Sequence, residues 1–179
     1  MNAPQLFPAR DGALFSPCRT WRYRLTRQLG GGRRIANIIM VNPSTADELA
    51  NDRSVNRCIG FARASWGCAE LIVSNLFAFV ATQPIDMLAA ADPVGPKNMD
   101  YVIGAACRAH ESGGPVIAAW GINGGHRDQN RIVMSLLTQT LGIPVQCLGT
   151  TAKGFPRHPL YLAKDTPLEP FNGRPLKGA

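Results

Sequence analysis

Paired cysteines are missing from this sequence. Cys18, Cys58, Cys68, Cys107 and Cys147 are scattered, with no C-x-x-C spacing, which argues against a zinc site or an iron–sulfur cluster and for reduced, mostly buried thiols. No apolar run approaches bilayer length. Residues 1–10 lack the apolar centre of a signal peptide, so a cytoplasmic protein is expected. Repeats, low-complexity tracts and interdomain linkers are also absent, and 179 residues suffice for a single domain, 1–179, with a full core. Acids are missing between Asp11 and Asp47, while six arginines fall between Arg19 and Arg34. Arginine supplies 15 of the 19 basic residues behind a formal charge of +7. Its planar fork pairs with phosphate oxygens, so this density points to a nucleic-acid partner, with a solvated basic face as the plain alternative.

What is present is organised around Ile38-Ile39-Met40-Val41-Asn42-Pro43-Ser44-Thr45-Ala46-Asp47. The apolar run reads as a buried strand that hands over to a polar loop. Pro43 removes a ladder donor and holds Asn42 extended. The Asn42 amide is thereby presented at a strand's carboxyl end, where open α/β sheets place ligands. A simple Asn-Pro-Ser-Thr turn is the alternative.

Before this motif, residues 1–34 form a basic strand or hairpin region. Trp21, Tyr23 and Leu25 alternate with Arg22, Arg24 and Thr26, the period of a half-buried strand with a basic outer face, and Gly30-Gly31-Gly32 can turn it into an antiparallel hairpin with the following strand. After the motif, Asp52 or Ser54 caps a helix through Val55, Ile59 and Ala62, which Gly67 ends. A second buried strand covers 71–77 and carries Asn75 near its end. Met99, Val102, Ile103 and Ala106 have helical spacing. A third strand, 115–121, ends at Trp120-Gly121, and an amphipathic helix carries Ile132 to Leu141. A fourth short strand, 144–148, leads to the loop Lys153-Gly154-Phe155-Pro156-Arg157-His158-Pro159-Leu160-Tyr161. The expected fold is α/β, three-layer α/β/α, with a central, mainly parallel four-stranded sheet and an N-terminal antiparallel edge strand.

The polar loops should meet at one rim, bringing together Asn42, Asn75, Trp120-Gly121 and His158. No Ser-His-Asp order, P-loop or metal-ligand spacing accompanies them, and no cofactor is implied. Amides, an imidazole, glycine backbone and aromatics suit holding a planar heterocycle and orienting a water. Trp120 and Phe77 can wall such a site or belong to the core. His110 and His126 are expected to face solvent, and Arg57 is a helix-surface charge or a phosphate contact.

The order N-P-S, Asn56-Arg57 opening a helix, a strand ending in Asn75, Trp120-Gly121 and His158-Pro159-Leu160 resembles the uracil-DNA glycosylase superfamily. Its mismatch-specific branch, with G-I-N-P-G followed by N-R-F, is the nearest likeness. Over nearly the whole chain, N-P-S-T-A-D, W-G and P-R-H-P-L-Y also resemble an uncharacterised bacterial and phage family, domain of unknown function 1643. The glycosylase resemblance implies that Asn42 positions the hydrolytic water, Asn75 reads the Watson–Crick edge of an extruded base, and His158 hydrogen-bonds the pyrimidine carbonyl. It also implies that Pro43, Ser44, Phe77, Trp120 and Gly121 shape the pocket. Lys153, Arg157, Leu160 and Tyr161 would then meet DNA, with Arg157 or Leu160 filling the space the base leaves. Asp47 or Asp52 can supply a carboxylate, as other branches do from their first motif. Two departures stand out: Ser44 replaces the second glycine of the first motif, and His158 is followed by Pro159-Leu160-Tyr161 rather than P-S-P-L-S.

The implied activity is a monofunctional DNA glycosylase that flips out a damaged or modified pyrimidine, of the phage hypermodified kind if the protein serves defence rather than repair. The partner would be duplex or single-stranded DNA, with no membrane and no obligate protein partner. Base extrusion exposes the glycosidic bond, and phosphate contacts offset its cost. Alternatives are a catalytically silent base reader and an enzyme of free nucleotides or nucleosides.

Overall fold

The computed structural model describes residues 11–173. Residues 1–10, read above for the lack of a leader, lie outside the described residues. Seven strands form one mixed sheet: β1 (Gly12–Phe15), β2 (Arg22–Gln28), β3 (Ile35–Met40), β4 (Glu70–Asn75), β5 (Val116–Ala118), β6 (Val145–Cys147) and β7 (Glu169–Pro170), in the spatial order β1-β2-β4-β3-β5-β6-β7. Four helices connect them, α1 (Arg53–Ala64), α2 (Pro84–Ala89), α3 (Asn98–Glu111) and α4 (Gln129–Ser135), the last running on into a wider π turn at Leu136–Thr140. The fold is α/β.

β3 and β4 are buried almost throughout, as their near-continuous Ile, Leu and Val content demands of strands covered on both faces. They pair in parallel from Ile35↔Glu70 to Met40↔Asn75, and β5 pairs in parallel with β3 and with β6. Side-chain alternation divides the core. Ile38, Met40, Leu71, Val73 and Ile117 pack with Val55, Cys58, Phe61 and Ala62 of α1. Ile39, Val116, Ala118 and Val145 pack with Val102, Ala106 and Ala109 of α3 and Val133 of α4. Asn37, buried within β3, donates its amide to Ile72 O and Ser74 Oγ, so no buried donor is wasted there.

Two expectations about the N-terminal region are corrected. β2 does not form a hairpin with β3: it pairs antiparallel with β4, which lies between them, and β1 rather than β2 is the sheet's edge. The apolar strand β4 needs partners on both sides, and the glycine turn is long enough to let the chain pass it. Nor has β2 a basic outer face. Residues 22–27 are all buried, because β1, β4 and the loop after β3 cover them.

The topology fixes where a ligand can sit. Chain leaves β3 through α1 on one face and leaves β5 through α4 on the other, although the two strands are neighbours. Connections that part in this way open a crevice beyond the strands' carboxyl ends.

Candidate functional site

A cavity of ≈490 Å³ occupies that crevice. Its wall is made by Met40 at the end of β3, Val41, Asn42 and Ser44 just beyond it, Asn75 at the end of β4, Trp120 and Gly121 beyond β5, Asp52, Ser54 and Val55 at the start of α1, His158, Leu160 and Tyr161 from the loop after β6, and Arg22 from β2. The volume lies in the range of small-molecule sites. The residues expected at one rim, Asn42, Asn75, Trp120, Gly121 and His158, all line this cavity, and so do Ser44, Asp52, Leu160 and Tyr161 from among the residues the glycosylase resemblance singled out.

Asn42 is held by its nitrogen. Nδ2 donates to Pro43 O (2.9 Å) and Ala81 O (2.8 Å). Two carbonyl acceptors permit only the amide nitrogen on that side, so Oδ1 is the atom left for the cavity. Asn75 is held in the opposite sense. Its Oδ1 accepts from Arg22 Nη2 at 3.2 Å, while its Nδ2, buried, has no partner among the described residues. Asn98 at the start of α3 donates to Asn75 O and Leu76 O, fixing this strand end from behind.

Arg22 was missed from the sequence. It is 2% exposed, donates Nη1 to Ala46 O (2.8 Å), and leaves its buried Nε without a partner. No carboxylate lies within ion-pair distance of it among the described residues. Burial pushes its pKa down to about 10, with Asp52 pulling the other way. Isolated buried charge is costly, and a guanidinium of this kind fits a ligand carrying acceptors or negative charge. The W-R-Y-R alternation concealed it, since alternation alone cannot tell a covered face from a wet one.

His158 accepts a hydrogen bond from Leu160 N–H at Nδ1 (3.2 Å). The neutral ring therefore carries its proton on Nε2. Burial lowers its pKa below the ordinary histidine value, against a raising influence from Asp52, so the ring is a neutral donor near pH 7. Asp52, a residue of the cavity wall, caps α1 by accepting from Val55 N (2.8 Å) at Oδ1. Gly121, at φ +63°, donates its N–H to Pro156 O and so ties the β5 turn to the His158 loop. Gly124 lets the Trp120 ring lie flat against backbone: a Cβ there would meet Trp120 Cδ1 at 2.1 Å.

Other expected site residues lie elsewhere. The Asp47 carboxylate accepts from Leu49 N and Ala50 N, which holds its pKa below the usual range, and it does not line the cavity. Pro43 is buried behind the wall and Phe77 is fully buried core, against which His126 packs at 5.7 Å. His126 is thus half-buried rather than solvent-facing, whereas His110 is exposed. Arg57 donates to Leu162 O and stacks over Phe61, so its guanidinium braces the C-terminal loop. Lys153 and Arg157 are exposed and outside the cavity wall. Cys18 is exposed, while Cys58, Cys68 and Cys147 are buried thiols.

Three of the six clustered arginines have a structural use. Arg22 binds Ala46 O, Arg27 binds Asp47 O, Ala50 O and Asn51 Oδ1, and Arg19 forms an ion pair with Glu48 at 2.8 Å. Arg19, Arg22 and Arg27 thus fasten the 44–51 loop, two of them through its backbone carbonyls and one through Glu48. Among the described residues no group of three or more His, Cys, Asp or Glu is placed to hold a metal ion, and no helix is long and apolar enough to cross a membrane.

The chain is thus an α/β protein with a strand-end cavity, apolar walls set with a few polar groups, at the point where its connections diverge. It belongs to the family described as "Protein of unknown function (DUF1643)", whose model matches residues 22–160. That match begins at Arg22 and ends at Leu160, two residues of the cavity wall. Neither the curated proteins nor the solved structures compared with the chain gave a match.

Proposed function

We propose that the cavity binds a nucleobase and that the protein is an N-glycosyl hydrolase, a DNA glycosylase-like enzyme acting on a damaged or modified pyrimidine. The observation that carries this reading is the opposed wiring of Asn42, Asn75 and His158 around one cavity: a fixed acceptor, a fixed donor and a neutral imidazole donor. The run of parallel pairings β4-β3-β5-β6, with helices on both faces, supports a three-layer arrangement of the uracil-DNA glycosylase kind.

In the proposed reaction, Asn42 Oδ1 accepts a hydrogen bond from a water and aims its oxygen at C1′ of the nucleotide. A C1′–O bond forms as the C1′–N1 bond breaks, and the electron pair passes into the ring and onto its O2. His158 Nε2–H hydrogen-bonds that developing charge, and Asp52 takes the water's proton. Fixed dipoles aimed at charge that appears only in the transition state are the main source of rate in such a site. Trp120 and Val41 give the ring apolar walls, and Tyr161 at the exposed lip is available to stack.

A second reading, an enzyme of free nucleosides or nucleotides, is favoured by the burial of Arg22, Arg24 and Arg27, which removes half of the arginine cluster from any phosphate-binding surface. One experiment separates them. Oligonucleotides bearing uracil, hypoxanthine, mismatched thymine or modified cytosines, and the matching free nucleosides, are incubated with the protein, and released base is quantified. Abasic product that vanishes in Asn42→Ala is the expected result. Release from nucleosides alone selects the second reading. Salt-dependent oligonucleotide binding with no base released from any substrate leaves a silent reader and rejects the hydrolase.

A further inference from the structure

Resting on that base-binding reading, we propose that the cavity takes a cytosine-type ring in preference to uracil or thymine, with Arg22 as the residue that sets the preference through Asn75. The argument is one of hydrogen-bond polarity. An asparagine amide offers an acceptor and a donor, and left free it can turn either toward a ligand. Asn75 is not free, since its Oδ1 accepts from Arg22 Nη2 and the reverse orientation would set N–H against N–H. Arg22 cannot swing away, because it is 2% exposed and its Nη1 is engaged by Ala46 O.

Two buried groups of the wall residues Asn75 and Arg22 have no partner among the described residues, Asn75 Nδ2 and Arg22 Nε, and both are donors. A ring edge that meets them must carry acceptors. Cytosine places two side by side, O2 and N3. Uracil and thymine interpose N3–H between their carbonyls, and that N–H would face donors with its own hydrogen bond lost. A site whose buried donors are left unpaired by the wrong ligand discriminates strongly, by about tenfold or more. The cation also suits the chemistry: cytosine leaves a sugar less readily than uracil does, and a guanidinium beside its O2 attracts the electron pair arriving there. Modification at C5 does not change this edge, so 5-substituted cytosines fall within the same class.

The test uses the full chain and single-stranded trinucleotides A-X-A, in which X carries cytosine, uracil, thymine or 3-deazacytosine on a 2′-fluoroarabinose that resists glycosidic cleavage. Affinities are measured by calorimetry. The cytosine trimer should bind about tenfold or more tightly than the uracil and thymine trimers, and replacement of N3 by C–H in 3-deazacytosine should remove that advantage. In Arg22→Gln, checked for folding by its thermal transition, Asn75 can turn over and the uracil trimer should gain on the cytosine trimer. The 3-deaza comparison needs no variant, so a misfolded Arg22→Gln leaves the proposal decidable. Uracil binding as tightly as cytosine overturns the preference while leaving the base-binding reading intact. Equal binding of all four trimers, unaffected by Asn42→Ala and Asn75→Ala, overturns both. Acetate or phosphate binding that depends on Arg22, with no effect of base identity, also overturns both and makes the cavity an anion site.

Discussion

Asn42 and Asn75 lie at the carboxyl ends of neighbouring parallel strands and line the same cavity, yet their amides are wired in opposite senses. Asn42 gives its nitrogen to two backbone carbonyls and keeps its oxygen, whereas Asn75 gives its oxygen to a guanidinium and keeps its nitrogen. Residue type and strand-end position are shared, so the difference comes entirely from what stands behind each amide. For Asn42 it is the chain's own backbone at Pro43 and Ala81, and for Asn75 it is Arg22, delivered from a strand on the far side of β4. A single side-chain chemistry thereby supplies both an acceptor suited to a water and a donor suited to a ring edge.

The largest effect that can break this comparison is kinetic. Asn42→Ala should lower the rate of base release about a hundredfold, roughly 2.7 kcal/mol of barrier, with substrate affinity changed less than about threefold. Asn75→Ala should weaken affinity and rate together, because the proposed contact to the ring is one made before and during bond cleavage. Single-turnover release and equilibrium binding on the same oligonucleotide measure the two. Equal losses of affinity in both variants would show that the two amides do one job.

A stability contrast comes next in size. Asn42→Asp sets a carboxylate oxygen against the carbonyls of Pro43 and Ala81 and should destabilise the fold by ~1–3 kcal/mol. Asn75→Asp, in contrast, sets a carboxylate against the unpaired guanidinium of Arg22, and should be neutral or stabilising. Urea unfolding of both variants reads the sign directly. A destabilising Asn75→Asp would mean that Arg22 is not the uncompensated charge its surroundings make it.

How far the sequence carried this site depended on which forces fix each residue. Asn42, Asn75 and Trp120 were legible because each ends an apolar run, and His158 because it lies in the loop after a fourth such strand; strands laid in parallel deliver their following loops to one end. Pro43 made the first of these sharper by ending its strand. Arg22 was illegible because its burial depends on β4 entering between β2 and β3 and on carbonyls that become acceptors only when the 44–51 loop folds over it. The short strands β1 and β7 and the six-residue α2 carry too few periods to stand out. The continuous helix expected around Ile132–Leu141 starts abruptly after Arg127 and Asp128, both at positive φ, a conformation that Arg127 holds by donating to Ala90 O and Ala91 O.

The two aspartates once equally eligible are separated by the same reasoning. Asp52→Asn preserves the cap on α1, since an asparagine oxygen still accepts from Val55 N, but removes the carboxylate from the cavity wall. Base release should fall about tenfold. Asp47→Asn keeps the turn at Leu49 and Ala50 and touches no cavity group, so release should stay within about twofold of wild type. An equal loss in both would point to the loop's fold rather than to a proton acceptor.

His158 gives the smallest effect and the one most tied to geometry. Its folded pKa lies below its ordinary 6.5 because burial disfavours the charged ring. Above pH 6.5 the ring is neutral whether the chain is folded or not, and the full stability is present. As pH falls below 6.5 the unfolded chain takes up the proton first, so stability declines until pH has passed through the folded pKa. Protonation at Nδ1 would also displace the Leu160 N–H that this nitrogen accepts. The wild type should therefore lose stability between pH 6.5 and 5 relative to His158→Gln, as measured by urea unfolding across that range. A difference of the opposite sign would mean that the imidazole is held charged, and a charged ring donates from both nitrogens. In that case Leu160 N–H would have no acceptor, and the neutral Nε2 donor assigned to the base would have to be given up.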